Sequence, residues 1–118
     1  MNDLLGDALP LEQKNRTPES GAMREVLQAL SAHWSVAWCE RLNSGAAKIG
    51  SRFVRFGWKG APDIVGQLRD GRFLGVEVKA PKGKLSTDQS DFLERIRCAG
   101  GVSFMARDYR DVIRELEK

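Results

Sequence analysis

Three ionisable residues in the middle of the chain have a spacing that suits phosphate chemistry. Asp63 follows Pro62, and thirteen residues separate it from Glu77 in the run Glu77-Val78-Lys79. Side chains two residues apart on a strand share a face, so Glu77 and Lys79 point the same way. Two carboxylates and the carbonyl of Val78 would suit Mg²⁺ or Mn²⁺, hard ions that prefer oxygen ligands. Such an ion lowers the pKa of an attacking water, which Lys79 could orient.

Whether Asp63 joins this pair depends on the turn between two predicted strands. A three-residue loop, Arg69-Asp70-Gly71, with its glycine in the left-handed conformation, places Asp63 directly opposite Glu77. A two-residue Asp70-Gly71 turn pairs Asp63 with Val78 instead and puts the carboxylates on opposite faces, unless a bulge restores the register. The longer loop is favoured because it also gathers five aliphatic side chains on the other face. They are Ile64, Leu68, Leu74, Val76 and Val78.

The elements that must position these residues follow from hydrophobic period and turn signals. Thr17-Pro18-Glu19 predicts a helix start, Ser86 to Gln89 is a capping box, and Gly100-Gly101 ends the second helix. The order α-β-β-β-β-α-β-α predicts an α/β (α+β) fold with one mixed sheet between helices. Predicted helices cover 18–33, a segment that follows Ser86, and 108–117; strands cover 35–41, 51–56, 63–68, 72–79 and 102–106; residues 1–16 are an arm, and the segment between 43 and 50 is a flexible loop.

Length and charge narrow the classes of function. The 118 residues describe one small domain, which excludes a two-domain enzyme, and 19 Lys and Arg against 16 Asp and Glu give a formal charge of +3. The base-rich part is concentrated, because no acid lies between Arg41 and Pro62. Basic side chains interleaved with aromatic rings favour nucleic-acid binding. The candidates are Asn43, Arg52, Arg55, Trp58 and Lys59, with Lys82 and Lys84 before a helix N-terminus that favours anions.

Other features set the expected compartment and cofactors. No apolar run is long enough for a membrane span, and acids stand where a secretory signal needs bases, so we expect a cytoplasmic protein. Cys39 and Cys98 are expected to be buried free thiols of a reducing compartment. No Gly-x-Gly-x-x-Gly pattern is present, so no dinucleotide or other small-molecule cofactor is expected. His33 is expected to pack in the core, and Trp58 could either fill the core or stack on distorted DNA.

Several motifs together resemble one known family. Glu25 lies in the first helix, Asn43 with Gly45 follows the first strand, and Gln89 opens a later helix. Between them stand the runs GWKGAPD at 57–63 and VEVKAPKGKLS at 76–86. This pattern resembles the virus-type replication-repair nuclease (VRR-NUC) family of the PD-(D/E)XK nuclease superfamily, in its stand-alone single-domain type, from about residue 25 to 116.

The resemblance implies a metal-dependent nuclease domain over 17–118. It implies that Asp63 and Glu77 bind Mg²⁺ or Mn²⁺, that Lys79 is catalytic, that Glu25 completes the acidic site and that Gln89 lies near it. From the residues alone, Glu25 is a boundary glutamate of a helix and Gln89 is explained by its capping box.

The resemblance also implies a substrate and an assembly. It points to an endonuclease of DNA repair that cuts branched DNA such as four-way (Holliday) junctions, acting as a homodimer in a prokaryotic or phage-infected cell. Alternatives remain open at this point: a binding module that keeps the fold without catalysis, or a nuclease for flaps, plain duplex or RNA.

Overall fold

The predicted alternation of helices and strands is confirmed in the computed structural model, which describes residues 18–42, 45–56 and 58–118. A mixed sheet lies between helices, and the predicted elements occur in the predicted order. The helices are α1 (Pro18–Ala32), α2 (Thr87–Cys98) and α3 (Tyr109–Leu116); the strands are β1 (Val36–Arg41), β2 (Gly45–Ile49), β3 (Arg52–Phe56), β4 (Ile64–Leu68), β5 (Phe73–Val78) and β6 (Val102–Ala106).

Strand β2 lies in the segment that the sequence predicted to be a flexible loop. It pairs with β3 in a separate two-stranded antiparallel sheet, with Ile49 opposite Arg52. That register leaves a two-residue turn of Gly50 and Ser51, and Gly50 has a φ of 64°. A glycine at the first position of a two-residue turn favours a hairpin, so the Gly-Ser pair was a strand signal that the loop prediction overlooked.

The main sheet has the order β1-β4-β5-β6. Strand β4 is antiparallel to both β1 and β5, whereas β6 runs parallel to β5. A parallel neighbour requires a crossover connection, and α2 supplies it between β5 and β6. The carboxyl ends of β5 and β6 therefore meet at one edge of the sheet.

One face of the sheet carries the apolar core. The five aliphatic residues predicted to share a face are all buried there, together with Val26 and Leu30 of α1 and Val112 of α3. His33 is buried as predicted, and its Nε2 lies 2.9 Å from Oε2 of Glu117. Alternation along β5 thus directs every second side chain into the core formed with α1 and α3.

Helix α2 covers the opposite face and approaches it closely. A Cβ atom on Gly75 of β5 would lie 2.6 Å from Cδ1 of Ile96, a buried residue of α2. Ser103 of β6 donates a 2.6 Å hydrogen bond from its Oγ to the carbonyl of Leu93 in the same helix. Glu77, the candidate site residue within β5, lies on this face beside α2.

The cysteine prediction was wrong. Cys39 is only half-buried and Cys98 is exposed on α2, where its Sγ lies 3.5 Å from Oε2 of Glu94. The apolar neighbours of both residues in sequence suggested burial, but position 98 lies on the solvent-facing side of the last turn of α2. In the three described ranges, no helix is both long enough and apolar enough to cross a bilayer.

Candidate active site

The hairpin loop between the bonded residues Leu68 and Arg72 has three residues, as predicted. Gly71 has a φ of 95°, and its amide donates to the carbonyl of Leu68 at 2.9 Å. The amide of Leu68 in turn donates to the carbonyl of Arg72 at 2.9 Å, which closes the loop. The left-handed glycine and this pair of bonds exclude the two-residue turn.

This loop determines which side chains meet across the hairpin. Ile64 pairs with Val76, so the next pair along the ladder places Asp63 opposite Glu77. Directly opposed residues have Cβ atoms about 4.5–5.5 Å apart. The two carboxylates therefore lie on the same face, which is the face covered by α2.

Pro62 removes one hydrogen-bond donor from the backbone beside these carboxylates. Because Leu68 and Arg72 form a hydrogen-bonded pair, every second pair along the hairpin does so, and Pro62 stands opposite Val78 in that series. Proline has no N–H, so β4 offers no ladder donor to the Val78 carbonyl. The amide of Val78 donates instead to Oδ2 of Asp63 at 2.8 Å. The Pro-Asp pair thus anchors one carboxylate and leaves one carbonyl without a ladder partner on β4.

Glu77 and Lys79 share the face predicted for them, but in different environments. Glu77 is buried, with 1% of its surface exposed, whereas Lys79 is half-buried. The amide of Lys79 donates to the carbonyl of Ala106 at 3.1 Å, which continues the pairing of β5 with β6 past the end of the strand. Glu77 therefore places a carboxylate in the interior beside α2, and Lys79 places its ammonium group nearer the surface.

The turn after β5 is held against Lys79 by a residue that the sequence analysis did not single out. Arg107 donates from one guanidinium nitrogen to the carbonyls of Ala80 at 2.6 Å and Gly83 at 2.9 Å. A Cβ on Gly83 would lie 3.3 Å from Cβ of Lys79, so the turn packs on the stem of the lysine. Arg107 therefore positions the lysine indirectly; a single arginine after the last strand carried no signal for this role.

Gln89 lies at the start of α2 and forms the predicted capping box. Its Oε1 accepts from the amide of Ser86 at 2.9 Å, and its own amide donates to Oγ of Ser86 at 3.1 Å. The side chain is thus engaged in the helix cap. The nearby Lys82 and Lys84 are both exposed, in the turn that leads into α2.

Glu25 lies on the other side of the sheet, on α1. Its side chain is exposed, and Oε2 accepts a 2.7 Å hydrogen bond from the amide of Tyr109, the first residue of α3. Tyr109 follows the carboxyl end of β6, so Glu25 is at the same edge of the sheet as Lys79. Among the described residues, no group of three or more acidic, histidine or cysteine side chains lies together as a metal site would require. The structure therefore does not join Glu25 to Asp63 and Glu77 in one cluster.

The predicted nucleic-acid-binding residues are exposed wherever the structure describes them. Arg52 and Lys59 are on the surface, and Trp58 has 62% of its surface exposed, so it does not fill the core. Lys59 lies 3.6 Å from the Asp88 carboxylate of α2. Asn43 and the side chain of Arg55 lie outside the described residues.

The donor set at the hairpin fits a hard divalent cation. Asp63 and Glu77 supply carboxylate oxygens, and Val78 supplies a carbonyl that Pro62 cannot bond. Apart from the bond to Oδ2, no hydrogen bond to the Asp63 carboxylate is formed by the part of the chain that is described. All-oxygen sets of this kind suit Mg²⁺ or Mn²⁺.

Comparison with known proteins gives one match. A family model described as the VRR-NUC domain matches residues 8–108. Comparisons with curated proteins and with solved structures give no match. The matched range contains every element from α1 to β6, and with them the whole hairpin that carries the carboxylates.

Proposed function

Because this chain belongs to the VRR-NUC domain family, we propose that it is a divalent-metal-dependent endonuclease that hydrolyses phosphodiester bonds of DNA. The observation that carries the proposal is the hairpin register, which sets Asp63 opposite Glu77 beside the carbonyl of Val78. Two opposed carboxylates at a sheet edge repel unless a cation compensates them. This arrangement is suited to binding a divalent ion.

Asp63, Glu77 and the Val78 carbonyl would hold Mg²⁺ or Mn²⁺. The bound ion would neutralise charge on the phosphodiester and lower the pKa of an attacking water. The bond from the Val78 amide orients the Asp63 carboxylate before substrate arrives. Glu77 is buried where the effective dielectric constant is lower than in water, which strengthens its attraction for a cation.

Lys79 would supply a positive charge beside these oxygens. It follows Glu77 on the same strand face and is half-buried, and the turn held by Arg107 restricts its stem. A preorganised ammonium group stabilises negative charge that develops on the phosphate oxygens, or orients the attacking water. Arg107 touches neither the carboxylates nor substrate in this scheme, so it is a positioning residue.

The substrate is proposed to be branched DNA, with four-way junctions as the leading candidate. Exposed basic side chains of two segments could contact phosphates near the site: Arg52 with Lys59, and Lys82 with Lys84. A domain of 118 residues has little surface for reading a long sequence, which favours recognition of DNA shape. A homodimer would supply two active sites for two strands.

The test is cleavage of labelled duplex, flapped and four-way DNAs with Mg²⁺ or Mn²⁺. Asp63→Ala and Glu77→Ala should each lower the rate at least about a hundredfold, because each removes a ligand of the charge-stabilising ion. Glu40→Gln, which changes an exposed acid on β1, is the matched control and should retain the rate. Thermal melting checks that each variant is folded.

Undiminished cutting by the double variant Asp63→Ala/Glu77→Ala would contradict the assignment. Salt-sensitive DNA binding by the wild-type protein, with no cleavage in either metal, would support a non-catalytic binding module instead. The preference among the three DNAs decides between junctions, flaps and plain duplex, and measurement of the mass in solution tests the homodimer.

Glu25 needs a separate variant because its carboxylate also binds the Tyr109 amide. Glu25→Gln keeps an oxygen that can accept this bond and removes the charge. We expect the variant to melt like the wild-type protein and to cleave more slowly, which supports a site role at this edge of the sheet. Unchanged cleavage would assign Glu25 to the cap of α3 alone.

A further inference from the structure

The outer surface of α2 carries a stacked pair of aromatic rings capped by a cation. The rings of Trp58 and Phe92 have centroids 6.2 Å apart and an interplanar angle of 19°. The guanidinium carbon of Arg95 lies 5.3 Å from the Phe92 ring centroid. Trp58 remains 62% exposed, so the indole offers a large surface to solvent. An exposed aromatic ring next to a second ring and a cation can accept a stacking base.

The surface continues beyond Phe92 into a groove between α2 and the hairpin loop. The groove has a volume of about 720 Å³, and Phe92 and Arg95 form one wall while Arg72 and Phe73 form the other. Phe73 is 42% exposed. We name Trp58, Phe92, Arg95 and Phe73 the aromatic track. It therefore combines three aromatic rings with one cation along a single surface.

The charges on this surface leave Arg95 available. Asp70 pairs with Arg72 at 2.8 Å, Asp88 lies 3.6 Å from Lys59, and Glu94 pairs with Arg97 at 3.0 Å. In the described ranges the guanidinium of Arg95 takes part in no ion pair and lies over the ring of Phe92. A guanidinium without an acidic partner is suited to a phosphate.

The track is attached to the candidate active site through the turn before β4. The amide of Ala61 donates to the carbonyl of Trp58 at 3.0 Å. A Cβ on Gly60 would lie 2.4 Å from the backbone oxygen of Asp88, so this turn rests directly on the first turn of α2. The chain then runs through Pro62 to Asp63. Trp58 and Asp63 are thus two ends of one short segment fixed to the same helix.

We propose that the aromatic track binds unpaired nucleotides of a branched DNA, next to the bond that is cut. The proposal rests on the nuclease function and specifies which part of the substrate lies over α2. Bases in a duplex stack on one another and cannot reach a side chain, whereas unpaired bases stack on exposed aromatic rings. Trp58 would stack a base, and Arg95 would contact the adjoining phosphate.

Binding is measured without divalent metal, on the inactive Glu77→Gln protein, by fluorescence anisotropy of a short labelled oligothymidylate and of a blunt duplex. Trp58→Ala should raise the single-strand Kd about 5- to 100-fold, since one base stack contributes that much. Arg95→Ala should also raise it, because the variant loses a charged contact to the adjoining phosphate. For Trp58→Ala, the loss on the single strand should exceed the loss on the duplex at least about fivefold. Trp58→Phe should restore most of the affinity, because a smaller ring still stacks.

The matched control is Trp34→Ala. Trp34 is 73% exposed and stacks on His33 after α1, away from α2, so its removal should change neither Kd. Equal losses of Trp58→Ala on single strand and duplex would overturn the proposal in favour of a general phosphate-binding surface, and no loss on either would remove nucleic acid as the occupant. Absence of cleavage by the wild-type protein would overturn the nuclease assignment but leave the single-strand Kd values as they are.

Discussion

The two faces of strand β5 are built differently. Leu74, Val76 and Val78 are fully buried among the side chains of α1 and α3. The alternate positions, which face α2, hold Gly75, which has no side chain, and Glu77, which carries a carboxylate. One strand therefore supports the apolar core on one face and the candidate chemistry on the other.

The difference shows how α2 packs closely on the face that carries Glu77, which we call the chemical face, although this face has no large apolar side chains from β5. On this face the backbone itself approaches, with Gly60 against the backbone of Asp88 and both Gly75 and Gly101 against the side chain of Ile96. Polar bonds add to this contact, including those of Ser103 to Leu93 and Arg97. Close approach at glycines leaves room for polar groups, whereas the core face depends on the volume of its side chains.

The largest loss of stability is expected on the core face. Leu74→Ala should lower the free energy of unfolding by about 2–5 kcal/mol, because a fully buried leucine leaves a cavity. Urea unfolding measures the loss, and Ile113→Ala, at a residue 40% exposed on α3, is the control with a smaller loss. Cleavage per folded molecule should be retained, since Leu74 faces away from Asp63; a selective loss of cleavage would contradict the separation of the two faces.

A somewhat smaller loss is expected where the chemical face depends on a glycine. Gly60→Ala should cost about 2–4 kcal/mol, from strain at a φ of 78° and from overlap with the α2 backbone. Gly71→Ala has a similar φ, 95°, but an open surrounding, and should cost only about 1 kcal/mol. Comparable unfolding midpoints for the two variants would show that the turn does not rest tightly on α2.

The smallest effect is expected at the polar start of α3. Asp108 caps this helix by accepting from the amides of Arg110 and Asp111, and Asp108→Ala should cost about 1 kcal/mol at pH 7. Asp108→Asn, which keeps a capping oxygen, is the control and should cost less. Urea unfolding gives both values.

The same variant predicts a pH dependence. The side chain of Arg110 holds the pKa of Asp108 below its ordinary value of 3.8. A carboxyl with a lowered pKa in the folded state contributes stability above its ordinary pKa, and this contribution is lost as the pH falls through the folded value. The difference between wild-type protein and Asp108→Ala should therefore shrink below about pH 4. A difference that grows in acid would contradict the role of this carboxylate.

Much of the fold could be predicted because its signals are local. The capping box at Ser86, the left-handed Gly71 and the aliphatic alternation in β4 and β5 each act over a few residues, and all three are confirmed. The missed strand β2 had a local signal too, in Gly50-Ser51. The burial of Cys98 was predicted wrongly, since the direction of a side chain on α2 depends on which face of that helix meets the sheet.

The candidate site could be predicted in part for the same reason. The opposition of Asp63 and Glu77 follows from loop length, which the sequence carries. The engagement of Glu25 with Tyr109 and the bonds of Arg107 to the turn after β5 join residues far apart in the chain. No spacing rule relates such residues, because their separation depends on how whole elements pack.

By itself, the sequence determined the strand that carries Glu77 and Lys79, the loop that sets Asp63 opposite Glu77, and the resemblance to a nuclease family. These depend on backbone geometry within one hairpin, where strand period and turn type leave few choices. Only the tertiary structure decided that α2 closes on this face through glycines, that Trp58 stacks outward on Phe92, and that Glu25 lies across the sheet. Those arrangements follow from the packing of distant elements, which local periodicity does not specify.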